Sequence, residues 1–213
     1  KANKELTLGK EVQKMFLPLA TDSGGRKLTT GFFQNDYIEL FGYYEGADAL
    51  SGDYFDHIDL QNGYYAIIKC DVAGHGASAS LIMVEVATIF TSYFRRYIGK
   101  KPNLNITELV NSINDLLEER QFRGRFAALI IGLLELKTGK IHLCHAGDNL
   151  VNIYDQSSRK VVVHTLPEAP ATGIFNRDLI DMKGGYQQDV LELNSGDILL
   201  FFTDGIEESH HRL

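Results

Sequence analysis

Two long helical segments follow one another in this chain without a strand between them, and extended segments occupy the sequence on both sides. The first helical pattern runs from Ala77 to Ile98, and the second follows Asn105, with Glu108 three residues later in a capping-box arrangement. A parallel sheet needs alternating strands and helices, and this order does not alternate. We therefore predict an α+β domain in which helices cover two mostly antiparallel sheets.

The extended segments are rich in aromatic and β-branched residues and are bounded by turn signals. Before the helices, Gln61-Asn62-Gly63 predicts a hairpin turn. After them, the pattern predicts a β-meander and then a passage at 166–186 that is long enough to be a functional flap. The predicted strands are 37–44, 64–70, 126–136, 141–146, 150–154, 161–163, 190–193 and 198–202.

The N-terminal region predicts an amphipathic helix from about Leu6 to Leu17, followed by a polar, glycine-containing connection. We divide the chain into this linker helix and connection, residues 1–30, and one domain, residues 31–213, which we expect to be truncated at its C-terminus. The apolar stripe of the helix needs a partner. The domain body is the default partner, and the same helix in a second subunit is the alternative. We also predict that this helix and the helix from Ala77 form a homodimer contact that regulates the site.

The charge and the cysteine content limit the possible functions and the cellular location of the protein. A formal net charge of -7 argues against nucleic-acid binding, which depends largely on clustered Lys and Arg. The two cysteines, Cys70 and Cys144, lie in apolar strand-like runs and predict buried thiols in a reducing compartment, hence a cytoplasmic protein. No apolar run approaches the ~20 residues of a membrane-spanning helix, so we predict no membrane contact.

Three aspartates carry the chemistry that the sequence suggests. Asp53, Asp71 and Asp204 each lie near a glycine at a predicted strand end, where a short carboxylate can reach a shared cleft. Hard divalent cations such as Mg²⁺ and Mn²⁺ prefer oxygen ligands, and a pair of such ions can activate water for attack on phosphorus. Glycine–aspartate pairs are also ordinary turn dipeptides, so these residues alone do not decide between a metal site and turns.

An ordered series of short motifs resembles the SpoIIE-like serine/threonine phosphatases, the bacterial branch of the type 2C metal-dependent protein phosphatases. The resemblance covers residues from about 40 to 208, and the helix at Leu8 to Pro18 is similar to the linker helix that precedes this domain in the family. The motifs are Ser51-Gly52-Asp53-Tyr54-Phe55-Asp56, Asp71-Val72-Ala73-Gly74-His75-Gly76, Ser80-Leu81-Ile82-Met83, Arg125-Phe126-Ala127, Thr138-Gly139-Lys140-Ile141, His145-Ala146-Gly147 and Thr203-Asp204-Gly205-Ile206-Glu207-Glu208.

The resemblance implies an α-β-β-α sandwich with two Mn²⁺ or Mg²⁺ ions at one end of the sheets. Asp71 would bridge the ions, the carbonyl of Val72 and the carboxylate of Asp53 would bind one ion, and Asp204 would bind the other. It implies a phosphoserine/phosphothreonine protein phosphatase that uses metal-activated water in a bacterial signalling pathway. The implied partner is a phosphorylated protein such as an anti-sigma-factor antagonist.

Further positions have two interpretations each. Asp56 is either a water-mediated acid of the site or a turn cap, and Asp148 is either a ligand of a third ion or a turn residue. His75 with Gly74 either donates a proton to the leaving group or shapes the entry of the helix, and we favour the second. Arg125 is the nearest candidate for a phosphate-binding arginine, although a structural role fits it better.

One aspartate that the resemblance leads us to expect has no clear counterpart in this chain. The fourth aspartate that the wider family places before the last motif is unmatched, since Asp178 and Asp181 lie in that interval without a motif. The alternative to an enzyme is therefore a catalytically weak phosphatase fold that acts as a regulatory binding or dimerisation module. A dinuclear phosphodiesterase is a third hypothesis, disfavoured because such sites usually use several His ligands.

Overall fold

The computed structural model of the chain describes residues 2–46 and 50–204, and ten strands in these ranges form three antiparallel sheets. The helices are α1 (Ala2–Lys14), α2 (Gly76–Arg95), α3 (Thr107–Arg120) and α4 (Arg177–Met182). The strands are β1 (Thr30–Gln34), β2 (Glu39–Tyr43), β3 (Tyr54–Asp59), β4 (Tyr64–Val72), β5 (Ala127–Glu135), β6 (Lys140–Ala146), β7 (Leu150–Asp155), β8 (Lys160–Thr165), β9 (Gln188–Glu192) and β10 (Ile198–Leu200).

The largest sheet has the strand order β3-β4-β5-β6-β9, and a second sheet has the order β10-β7-β8. Strands β1 and β2 form a separate hairpin. Neighbouring strands pair antiparallel throughout these sheets. The predicted α+β class with antiparallel sheets is confirmed.

The two faces of the five-stranded sheet serve different layers. On β4, Ile68, Cys70 and Val72 belong to the core cluster that includes Met83 and Phe90 of α2. On the other face, residues of the five-stranded sheet pack against residues of β7 in the second core cluster. That cluster comprises Ile130, Ile141, Leu143, Val151, Ile153 and Leu166.

The alternation of side chains along β4 determines on which face of the sheet its polar residues lie. Successive side chains of a strand point to opposite faces. Ile67 packs against the cluster between the two sheets, so Lys69 and Asp71 lie on the same face, towards the second sheet. The three-stranded sheet, which is the second β layer of the predicted sandwich, therefore faces Lys69 and Asp71.

The outer face of the three-stranded sheet carries exposed apolar side chains. Within the described residues, α2 and α3 pack against the five-stranded sheet and against one another, and α4 packs against α3. The exposed side chains are those of Leu150, Val161, Val163, Ile198 and Leu200. The described part of the chain thus forms a helix–sheet–sheet stack.

Helix α2 is the one helix of the described ranges that is long and apolar enough to cross a membrane, judged by length and composition. Its side chains Met83, Val86, Phe90 and Phe94 are buried. The core helix of a globular domain also has this length and composition. The burial of these four side chains is what we expect of such a core helix.

Several local predictions need adjustment. Strands β1 and β3 and helix α4 are additional elements, and β10 ends at Leu200 rather than at 202. Helix α3 begins at Thr107, with Ile106 as its N-cap residue. Asn105 instead accepts a hydrogen bond from the N–H of Thr107 at 3.1 Å, so the capping box with Glu108 is not formed.

Candidate metal centre

Asp53 and Asp71 lie side by side because Asp53 immediately precedes β3 and Asp71 lies near the end of its partner β4. The N–H of Val72 donates to the carbonyl of Gly52 at 3.4 Å. A Cβ atom added to Gly52 would lie 2.6 Å from the carbonyl oxygen of Val72. A glycine is therefore needed here for the chain before Asp53 to approach the Asp71–Val72 backbone this closely.

Asp204 reaches the same region from the other sheet, because it follows β10. The preceding residue, Thr203, donates from Oγ1 to Oδ2 of Asp53 at 3.3 Å. The carbonyl of Phe202 accepts a hydrogen bond from Nζ of Lys69 at 2.9 Å. These two contacts hold Thr203 and Phe202 beside β4, and the charges of Asp53 and Asp204 both act on Asp71.

The cleft around Asp53, Asp71 and Asp204 contains more negative than positive charge. Burial raises the pKa of Asp71 to about 7, and the negative charges of Asp53 and Asp204 add to this effect while Lys69 opposes it. Burial also raises the pKa of Asp53, with a further contribution from Asp204. Like-charged carboxylates that disfavour one another's ionised form are the environment that a bound cation would relieve.

The donor set fits a divalent cation in its chemistry. Carboxylates and a backbone carbonyl are the hard oxygen ligands that Mg²⁺ and Mn²⁺ prefer. However, within residues 2–46 and 50–204 no group of three or more His, Cys, Asp or Glu side chains is drawn together tightly enough to enclose an ion. The charges of Asp53 and Asp204 nonetheless act on Asp71, so the three carboxylates border the same cleft.

Asp148, the predicted ligand of a third ion, forms an ion pair with Lys69. Its Oδ2 atom is buried, and apart from Nζ of Lys69 it has no hydrogen-bond partner in the described structure. The N–H of Asp148 lies 3.2 Å from Nδ1 of His145, whose Nε2 lies 2.7 Å from the carbonyl of Pro167. Because a carbonyl can only accept, the proton of His145 is on Nε2, and the ring joins the Asp148 loop to the start of the flap.

Asp56 is not brought to the cleft. Its carboxylate accepts hydrogen bonds from the hydroxyl of Tyr54 and the N–H of His57, each at 2.8 Å. Tyr54 is buried in the core cluster on the helix side of the sheet. Asp56 therefore caps a buried hydroxyl on the opposite face from Asp71.

Gly74 and His75 form the entry of α2. Gly74 has φ +91, and a Cβ atom there would lie 1.7 Å from Nη1 of Arg125. That guanidinium donates to the carbonyl of Ala73 at 2.7 Å. His75 is the N-cap residue of α2 and is exposed. Arg125 thus braces the loop after Val72, which fits the structural role predicted for it.

An open cavity of about 660 Å³ lies beside this loop. Its lining combines apolar side chains of α2 and of the turn after α3 with two arginines. The side chains that matter below are Leu81, Phe122, Arg123 and Arg125.

Two positioning residues were not recognised in the sequence. Lys69 could have been recognised in the sequence, since it is a charged residue within an otherwise apolar strand run, two positions before Asp71.

Gln13 of α1 has no feature in the sequence that identifies it as a positioning residue. Its side chain donates to the carbonyl of Ser51 and accepts from the N–H of Ser51 at 3.2 Å, while Oγ of Ser51 accepts from the N–H of Asp53 at 3.1 Å. Helix α1 is thereby joined to the loop that carries Asp53.

Asp178 and Asp181 lie on α4, which packs against α3. Neither is among the charges with the largest effects on the pKa of Asp53 or of Asp71. The structure therefore offers no support for either as the missing fourth aspartate.

The same fold occurs in solved phosphatase domains. The SiaA-PP2C domain of Pseudomonas aeruginosa superposes with a TM-score of 0.66 and 15% identity, over 96% of this chain and 72% of that one. RsbX in complex with magnesium gives a TM-score of 0.60 at 13% identity, over 79% of this chain and 74% of that one. The fold is that of a PP2C-type phosphatase domain.

The family model described as Stage II sporulation protein E (SpoIIE) matches residues 61–212, and the chain belongs to this family. Phosphoserine phosphatase RsbP of Bacillus subtilis (strain 168) is 25% identical over 203 residues, which cover 95% of this chain and 45% of RsbP. The chain spans less than half the length of the curated relatives it matches. The family predicted from the motifs is confirmed.

Proposed function

We propose that this chain is a metal-dependent phosphoserine/phosphothreonine protein phosphatase of a bacterial signalling pathway. The observation that carries the proposal is the meeting of Asp53, Asp71 and Asp204 in one cleft, where the nearby cation Lys69 is paired with Asp148. Membership of the SpoIIE family supports it, as does the similarity to a relative named as a phosphoserine phosphatase. The two buried free thiols, Cys70 and Cys144, support a reducing, cytoplasmic location.

Two Mn²⁺ or Mg²⁺ ions are part of the proposal. Asp53, Asp71 and the carbonyl of Val72 would hold one ion, and Asp71 with Asp204 would hold the other. Bound there, the ions would lower the pKa of a water molecule and neutralise charge that develops on the phosphoryl oxygens. The carboxylates would also fix where the phosphate group sits, because each approaches the cleft from a different strand end.

In the proposed reaction, a water oxygen bonds to phosphorus and the bond from phosphorus to the serine or threonine oxygen breaks. The attacking water gives up one proton and the freed alkoxide takes up one, so that a serine or threonine hydroxyl and inorganic phosphate leave. The loop of Ala73 and Gly74 lines the cavity and follows directly after Val72 in the chain. Residues that flank the phosphoserine would therefore lie in this cavity. Leu81 and Phe122 offer apolar contacts, and Arg123 offers a positive charge to an acidic segment. We propose a phosphorylated anti-sigma-factor antagonist, or a similar small signalling protein, as the substrate.

The function is tested by measuring phosphate release from a phosphoserine peptide with millimolar Mn²⁺, with EDTA, and with neither. We expect release that depends on added metal and stops with EDTA. A cyclic dinucleotide is the comparison substrate. Turnover of the cyclic dinucleotide without turnover of the phosphopeptide would identify a phosphodiesterase instead, and equal turnover with EDTA would contradict a metal-dependent reaction.

A regulatory module is the competing function, and one observation favours it. Within the described residues no set of carboxylates is already arranged around an ion position. If the folded chain neither binds Mn²⁺ at millimolar concentration nor releases phosphate, a binding or dimerisation module is the better account. Calorimetric titration with Mn²⁺ separates these two functions.

We also propose a homodimer that uses the exposed stripe of α1. Leu8, Val12 and Met15 are between 52% and 60% exposed, whereas Leu17 and Leu19 just beyond the helix are buried. An apolar stripe of this kind on a helix is a candidate contact surface. Light scattering is expected to give twice the chain mass, and Leu8→Lys with Val12→Lys is expected to halve it. A wild-type chain that is monomeric at micromolar concentration would overturn the dimer.

A further inference from the structure

Lys69 is a cation built into the acidic cleft. Its side chain is 13% exposed and lies on the same face of β4 as Asp71, two residues away. Its ammonium group pairs with Asp148 and donates to the carbonyl of Phe202 at 2.9 Å. It is therefore held from two sides, by the loop after β6 and by the segment that leads to Asp204.

Asp148 is the carboxylate that this cation neutralises. The Asp148 side chain is 18% exposed, and its Oδ2 atom is buried and has no other hydrogen-bond partner within the described ranges. A buried carboxylate requires a compensating charge, and a nearby ammonium supplies one without any metal ion. Asp53, Asp71 and Asp204 have no such paired cation among the ion pairs of the described residues.

We propose that Lys69 occupies the place of a third ion beside Asp148 and so restricts metal binding to the positions of Asp53, Asp71 and Asp204. This inference rests on the proposed function, because it assumes that the cleft binds divalent cations. Lys69 is a positioning residue in this account. It competes with a metal ion for Asp148, and its bond to Phe202 keeps the strand end before Asp204 in place.

The competition has a consequence that can be measured without phosphatase activity. Removing a positive charge from an acidic cleft strengthens its attraction for divalent cations. Replacing Lys69 by methionine keeps the length of the side chain but removes the charge. The Lys69→Met variant is expected to bind Mn²⁺ about tenfold more tightly or to bind one additional ion, and Lys69→Gln is expected to change in the same direction.

The experiment is calorimetric titration of the full chain with Mn²⁺, with thermal unfolding of each variant as a check of folding. Lys140→Met is the matched control, since Lys140 is exposed at the start of β6, and its Mn²⁺ affinity is expected to equal that of the wild type. The double variant Lys69→Met with Asp148→Asn is expected to lose the gain, because the freed carboxylate is gone.

The results separate this inference from the proposed function. If the wild type binds Mn²⁺ and both folded Lys69 variants bind it equally or more weakly, the role of Lys69 is overturned and the proposed function stands. A gain that persists in the double variant would also overturn it, because Asp148 would not be the ligand released. If neither the wild type nor any Lys69 variant binds Mn²⁺, both the inference and the metal-dependent function are wrong.

Discussion

Replacing Asp71 by asparagine is expected to lower the metal-dependent rate of phosphopeptide hydrolysis by about 10²- to 10⁴-fold. Stabilisation of developing charge by a bound metal contributes several kcal/mol, and each 1.36 kcal/mol corresponds to about tenfold in rate. Asp71 has the largest expected effect of the three aspartates because it is the proposed bridge between both ions. The measurement is the initial rate of phosphate release at saturating Mn²⁺.

The fold is expected to survive this substitution. Asparagine has the shape of aspartate, and the lost negative charge is one that Asp53 and Asp204 repel. The thermal midpoint of the metal-free variant should therefore be no lower than that of the wild type. Asp36→Asn is the matched control, because Asp36 is exposed in the turn between β1 and β2. Full hydrolysis by Asp71→Asn, or an equal loss in Asp36→Asn, would show that the proposed site is wrong.

Replacing Asn114 by leucine is expected to destabilise the fold by about 2–4 kcal/mol. Asn114 is completely buried on α3, and its side chain binds the flap at three points, one of them the hydroxyl of Tyr186, which donates to Oδ1 at 3.3 Å. Nδ2 donates to the carbonyl of Phe175 at 3.1 Å, and Oδ1 accepts from the N–H of Gly173 at 2.9 Å. Leucine would leave these two partly buried backbone groups and the buried Tyr186 hydroxyl without this partner, at up to about 1–3 kcal/mol each.

The loss is measured by urea unfolding, and hydrogen exchange is expected to rise within 173–186. Asn111→Leu is a matched control on the same helix, since the Oδ1 atom of Asn111 is buried without a hydrogen-bond partner in the described structure. That change is expected to lie within about 0.5 kcal/mol of the wild type or to stabilise it. Equal effects of the two substitutions would contradict the role of Asn114 in holding the flap.

The parts of the fold that could be predicted are those with strong periodicity. Helices α2 and α3 bury one continuous face each, which produces their apolar repeat, and β5 and β6 are buried on both faces, which produces continuous apolar runs. Strand β3 lacks the repeat, because Phe55 to Asp59 are half-buried on both faces. Helix α4 has only six residues, too few for a periodic signal, and Asn176 caps it by accepting from the N–H of Leu179 at 3.0 Å.

The candidate site divides in the same way. The common location of Asp53, Asp71 and Asp204 could be expected from the sequence, because a glycine next to an aspartate at a strand end is a local signal. The pairing of Lys69 with Asp148 could not, since it depends on how one sheet stacks on the other. Asp56 had two interpretations in the sequence, and strand alternation, which places it on the face of Tyr54, favours the capping role over the site role.

The central claim is that Asp53, Asp71 and Asp204 together hold divalent cations. Anomalous diffraction from crystals of the chain soaked in Mn²⁺ tests it most directly, because it counts the ions and identifies their ligands in one measurement. The account predicts two peaks within about 2.0–2.3 Å of these carboxylates, with Asp71 shared between them and Asp148 still paired with Lys69. A cleft without any peak at millimolar Mn²⁺, in crystals of a folded chain, would contradict it.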